Sequence, residues 1–185
     1  MINYLTSMDG NILIFIQEHL RSPIVTPIFR FITSLGNKGA IWIILSIALL
    51  CFKKTRKTGI LAIIALFLSL LIDNILLKNI VARTRPYEIV NGLHILINKP
   101  SDYSFPSGHT GSSFAAAIIF YKELPKKYGI LALMLAILIG ISRLYVGVHY
   151  PTDVLGGAMI GTFIALFVYR MQFNLKVNDR KSLEI

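Results

Sequence analysis

Gly59-Ile60-Leu61-Ala62-Ile63-Ile64-Ala65-Leu66-Phe67-Leu68-Ser69-Leu70-Leu71-Ile72 runs for fourteen residues without a charge. Wound as a helix it is apolar all round, which suits lipid or a deep core and leaves no stripe for water. Similar runs stand at 40–52, 110–121, 129–141 and 154–169, and a short one at 24–35 contains Arg30. Each falls short of the roughly 20 residues that cross a bilayer. A soluble bundle would nevertheless need a polar face on every helix, and these runs offer none. The expectation is an all-α polytopic membrane bundle of about six transmembrane helices.

Composition points the same way. Of 185 residues, 55% are apolar and 15% charged, with a mean hydropathy of +0.66. That excludes a disordered chain and disfavours an ordinary soluble globule. The net charge of +10 would suggest nucleic acid in a soluble protein. Here the basic residues sit in short clusters between apolar runs, so anionic lipid or phosphate groups are better partners than nucleic acid. The single cysteine, Cys51, permits no internal disulfide and reads as a small packing residue.

The length fits one domain, 1–185. Residues 2–21 place Leu5, Met8, Ile12, Phe15, Ile16 and Leu20 at helical spacing, broken by Asp9, Gln17, Glu18 and Arg21. This reads as an amphipathic interfacial helix over 1–21, ended by Ser22-Pro23. Without a basic leader, and with Asp9 and Glu18, it does not resemble a cleaved signal peptide. A bundle over 22–170 and a tail over 171–185 complete the expected organisation.

Loops 53–57 and 122–127 and the tail from Arg170 hold 4, 3 and 4 Lys or Arg, against six on the alternate connections. The positive-inside rule then puts the basic loops and tail in the cytoplasm, and segments 78–109 and 142–153 outside it. Cations are costly near lipid, so those on the far side need a reason.

Three clusters lie there. In the first, Lys78 and Arg85-Pro86 are seven residues apart. If the helix from Gly59 continues to Thr84, they share one face about 10 Å apart along the axis, and Arg83 points about 140° away from Lys78. The pair can clamp an anion, or simply snorkel from a helix end. In the second, Pro106-Ser107-Gly108-His109-Thr110 opens an apolar helix. Ser107 is a good N-cap, the first amides are free for an anion, and His109 sits in the first turn; a capped helix with an incidental His is the plain alternative. In the third, Ser142-Arg143 precedes His149-Tyr150-Pro151-Thr152-Asp153. Pro151 suits a first helical position, and from that turn Asp153 can reach back to His149. A carboxylate on one ring nitrogen leaves the other free as nucleophile or base; an acidic first turn beside an unrelated His is the alternative.

Together the clusters match phosphoryl transfer. Cations neutralise the equatorial oxygens, amides hold them, one His attacks phosphorus and another protonates the leaving oxygen. Asp73, Glu88 and Asp102, the other acids near that face, are not paired as a two-metal site needs.

These motifs, Lys78 through Arg85-Pro86, Pro106-Ser107-Gly108-His109, and Ser142-Arg143 through His149 to Asp153, resemble the three signatures of the type-2 phosphatidic acid phosphatase superfamily, in order and with family spacing. The resemblance implies a membrane lipid phosphatase that needs no metal and no cofactor, with an extracytoplasmic site. It assigns His149 as the nucleophile that becomes phosphohistidine, Asp153 as its orienter and His109 as general acid. By the same resemblance Lys78, Arg85, Ser107, Gly108 and Arg143 are expected to bind phosphate. Undecaprenyl diphosphate is the substrate favoured by family analogy, with phosphatidylglycerophosphate and phosphatidic acid as alternatives. A non-catalytic lipid-phosphate binding or transport protein is the alternative of another class. Vanadate-dependent halide oxidation, within the resemblance, fits the membrane character poorly.

Of the remaining candidates, His19 reads as interfacial and His94 as a loop residue. Trp42 and Tyr169 read as membrane-interface anchors. Asp73, inside an apolar helix, pairs with a basic neighbour or positions the site.

Overall fold

A computed structural model describes residues 2–182, with the side chains of residues 7–172. Of the expected tail 171–185, residues 183–185 lie outside the described residues. The helices are α1 (Ile2–His19), α2 (Val25–Leu35), α3 (Ala40–Leu50), α4 (Arg56–Ser69), α5 (Lys78–Val81), α6 (Pro86–Ile89), α7 (Gly108–Glu123), α8 (Lys126–Tyr145) and α9 (Pro151–Ser182). A π-helical stretch, Leu70–Leu77, joins α4 to α5. The described residues contain no strand.

Three helical segments are long and apolar enough to cross a membrane: Arg56–Ile89, Lys126–Tyr145 and Pro151–Gln172. Length and hydropathy alone give fewer than the expected six, since the helices in the runs at 24–35 and 40–52 are each too short to cross singly. They form one pair, α2 and α3, bent by 50° at the Gly36–Gly39 turn, which as a single span raises the number to four. The bend follows from two consecutive left-handed residues, Lys38 at φ 51° and Gly39 at φ 69°. The fifth unit, α7, has 16 residues and lies in the middle, packed on α4, α8 and α9.

Small residues let α7 and α9 approach closely. A Cβ at Gly161 would stand 2.2 Å from the Gly111 carbonyl oxygen, so the contact is backbone on backbone. Around this seam Ala115, Ala116, Ile119, Ala136, Ile139 and Ala165 are fully buried. The outward faces instead present Ile44, Ile60, Leu131, Met134, Met159, Phe163 and Phe167, a belt no soluble surface would carry. The chain is a multi-pass membrane protein.

Two expectations fail here. Trp42 is no interface anchor: it faces α7, fully buried, and its Nε1–H donates to Ser113 Oγ at 2.8 Å. Its place one turn past the bend aims it inward. Cys51 does not pack inside but is exposed at the end of α3.

Candidate active site

The helix from α4 does not reach Thr84. It ends at Val81, and Ala82 turns left-handed at φ 46°. Lys78 and Arg85 therefore meet by a different route than a shared helix face. Lys78 Nζ and Arg85 Nη2 both hold the Asp102 carboxylate, Arg85 at 2.6 Å, and Arg85 Nε donates to the Asp102 carbonyl at 2.7 Å. Lys78 and Arg85 are 5% and 3% exposed, whereas the Asp102 side chain is half open. Burial pulls the Asp102 carboxyl upward, but the hydrogen bond and charge of Lys78, with Arg85, outweigh it and hold it at about 2.

The second cluster folds as its sequence suggests. Ser107 caps α7, its Oγ accepting from the Thr110 amide at 3.5 Å and the Thr110 hydroxyl at 2.9 Å. Ser107 N–H donates to the Asp153 carbonyl at 3.1 Å, which joins the starts of α7 and α9. The next position, Gly108, lies against the Asn74 side chain, 2.2 Å from where a Cβ would stand, so any larger residue would displace Asn74. His109 follows, with Nε2 3.0 Å from Asn37 Oδ1.

The third cluster sets His149 on the loop before α9. Its Nδ1 faces Asp153 Oδ2 at 3.4 Å and its Nε2 faces Arg85 Nη1 at 3.3 Å. Burial pushes the His149 imidazole down to about 3; Arg143 and Arg85 push the same way and Asp153 opposes them. The ring is neutral near pH 7, with the Asp153 contact setting Nδ1–H as donor and leaving the Nε2 lone pair toward the cations. Arg143 is 2% exposed, Nη1 donates to Thr33 Oγ1 at 2.6 Å, and Nε has no partner.

Lys78, Arg85, Gly108, His109, Arg143 and His149 line one cavity of about 1110 Å³. Ser107 and Asp153 stand behind its wall, Ser107 as the cap and Asp153 against His149. Asp73 is fully buried, but Ser69 is its hydrogen-bond partner, at 2.6 Å, not a cation. His19 is exposed and stacks on Phe15, and His94 lies in the loop after α6. Tyr169 sits 5.9 Å from Lys122 at the end of the basic loops.

Sequence reading missed Asp102, Thr33, Asn37, Ser104, Arg83 and Asp9. Ser104 Oγ donates to Asp153 Oδ2, and Arg83 joins Asp153 to Asp9. Only Arg83 had a signal: a third cation between Lys78 and Pro86 with no assigned anion.

Residues 58–176 match the PAP2 superfamily. An undecaprenyl-diphosphatase of Sulfolobus acidocaldarius is 35% identical over 142 residues, 77% of this chain and 68% of the relative. Phosphatidylglycerophosphatase B of Bacillus subtilis is 31% identical over 162 residues, 80% and 76% of the two chains. The crystal structure of a transmembrane PAP2-type phosphatidylglycerolphosphate phosphatase from Bacillus subtilis superposes with a TM-score of 0.77 at 29% identity, covering 93% of this chain and 88% of that one. With its motif residues gathered around one cavity and these relatives beside it, the chain belongs to the PAP2 superfamily and is a membrane phosphatase.

Proposed function

We propose that this phosphatase hydrolyses a lipid diphosphate, undecaprenyl diphosphate first among them, through a phosphohistidine at His149, without a metal ion. The observation that carries the reading is a charge imbalance. Three buried cations face the cavity, and among the described residues the only carboxylate on them is Asp102, from a half-open loop position. Arg143 has no carboxylate partner at all among the described residues. Burying such a cation is costly unless an anion completes it.

In the reaction the phosphoryl group sits on Lys78, Arg85 and Arg143, with the free amides at the start of α7 beside it. The Nε2 lone pair of His149 forms the N–P bond as the P–O bond to the leaving group breaks. His109 gives its proton to the departing oxygen. Water then attacks phosphorus, its proton passing to His109, and the N–P bond breaks to release inorganic phosphate.

The same cavity continues along Ile43, Ile47, Ile63, Leu66, Phe67 and Leu70 of α3, α4 and the π-helical stretch. Phosphate chemistry at one end and an apolar wall at the other suit a lipid that enters sideways from the bilayer. The placement of the site outside the cytoplasm rests on the basic loops at the opposite end. Exposed Met8, Ile12 and Phe15 on α1 suit an interfacial helix lying over that face. The choice of a polyprenyl diphosphate rests on the named activity of the archaeal relative.

The test uses purified full chain in detergent with undecaprenyl diphosphate, phosphatidylglycerophosphate and phosphatidic acid side by side, with chelator present. The expected result is phosphate release fastest from the diphosphate, and an acid-labile, alkali-stable phosphoenzyme lost in His149→Gln. Binding without turnover of any of the three would overturn the enzymatic reading. Turnover led by phosphatidylglycerophosphate would overturn the substrate alone.

A further inference from the structure

Behind His149, away from the cavity, lies a second group of charges that the reaction above does not use. Arg83 Nη1 donates to Asp153 Oδ1 at 2.6 Å and to Thr152 Oγ1 at 2.7 Å. Its Nη2 donates to Asp9 Oδ2 at 2.9 Å. The Thr152 hydroxyl donates to the same Asp9 carboxylate, and the guanidinium lies 3.9 Å from the centre of the Tyr150 ring. Asp9 belongs to α1 and is 3% exposed; Asp153 is fully buried.

This arrangement commits both oxygens of Asp153. Oδ1 is taken by Arg83, while Oδ2 accepts from the Tyr150 amide at 2.9 Å, from Ser104 and from His149 Nδ1. A carboxylate tied at both ends does not rotate, and the imidazole hydrogen-bonded to it keeps its aim. The charges also suit the step. Two carboxylates share one guanidinium behind a neutral ring, and that ring becomes positive as the N–P bond forms. The excess negative charge is then met only in the transition state, where it accelerates the reaction.

We propose that Arg83, clamped by Asp9, is the positioning residue for the Asp153–His149 pair, and that α1 is thereby part of the active site as well as a membrane contact. The inference rests on the phosphohistidine reading. Arg83 touches neither substrate nor the attacking nitrogen, so its loss should appear in kcat and not in substrate binding.

The experiment compares Arg83→Gln, Arg83→Lys and Asp9→Asn in the purified full chain, alone and combined with Asp153→Asn. Arg83→Gln should lower kcat about 10- to 100-fold, the usual cost of losing a partner once removed from the reacting group. KM and inhibition by inorganic phosphate should stay unchanged. Lysine keeps the charge without the fork and should recover part of the rate. Asp9→Asn should cost up to about tenfold in kcat. In the Asp153→Asn background Arg83→Gln should add nothing, because its target is gone. An equal further loss in that background, or a loss carried by KM and phosphate inhibition, would overturn the proposal. If Arg83→Gln does not yield folded protein, Arg83→Lys and Asp9→Asn decide, and full kcat in both overturns it. Activity surviving His149→Gln would instead sink the phosphohistidine reading itself, which separates the two failures.

Discussion

The imidazole of His149 divides the site into two halves built from the same residue types and used in opposite ways. In front, Arg85 and Lys78 hold Asp102, whose side chain is half open, and Arg143 holds only a threonine hydroxyl. Behind, Arg83 holds Asp153 and Asp9, both buried, with Thr152, Ser104 and the Tyr150 amide completing the set. The front is short of fixed anions and open to an outside one. The back is complete without a ligand. On the proposed reading an arginine beside an aspartate is a binding device on one side and a fixture on the other, and burial of the carboxylate decides which.

The back half breaks first and hardest. Asp153→Asn should lower kcat by about 10³-fold, with the amide offering His149 the wrong hydrogen-bonding partner and the negative charge gone. KM should move little, because Asp153 is not on the cavity wall. Steady-state kinetics on the three lipids checks this. A variant with unchanged kcat and a raised KM would mean the back half serves binding after all.

Breaking the front half should look different. Arg143→Met removes a buried cation, and kcat/KM should fall by about 10²-fold. Inhibition by inorganic phosphate should weaken in parallel, since ground state and transition state both lose the same contact. A phosphate titration of wild type against the variant reads this. Equal phosphate affinity would remove Arg143 from the proposed phosphate site.

The two halves were not equally legible in the sequence. In the front the motif residues Lys78, His109, Arg143 and His149 were, because they stand at the ends of helices whose apolar runs mark their positions, and local rules place them: a serine cap and a proline at the first turn. The back was not. Arg83 and Asp9 are 74 residues apart, and no local rule brings them together. The expected helix from Gly59 to Thr84 even turned Arg83 away from Lys78. It ends early at Ala82, a left-handed residue that is neither glycine nor asparagine, so nothing in the residue type announces the break. The number of spans was not legible for a related reason. Two apolar runs separated by a glycine-flanked turn look alike whether the turn reverses the chain or bends it by 50°. Trp42 failed because an aromatic at the end of an apolar run is placed by its neighbours, here Ser113 and Phe120, and not by its spacing.

The smallest and most informative test concerns Asp102, the one carboxylate the front half keeps. It occupies Lys78 and Arg85, the groups proposed to bind phosphate, so on that reading it competes with substrate. Asp102→Asn should tighten inhibition by inorganic phosphate about two- to fivefold, as suits a half-exposed ion pair. The same variant should be less stable at neutral pH, because two buried cations lose their carboxylate. The pH dependence fixes the sign. The wild-type carboxyl is held at about 2, below the ordinary value. Its stabilisation is therefore fully present above about pH 4 and is lost as pH falls toward 2. Thermal melts of wild type and Asp102→Asn should differ by a constant amount from about pH 5 to 8 and converge below about pH 4. Lower stability combined with tighter phosphate would show that the front half is kept partly closed by its own anion. Lower stability with unchanged phosphate affinity would make Asp102 a fixture like Asp153, and the contrast between the two halves would fail at that residue.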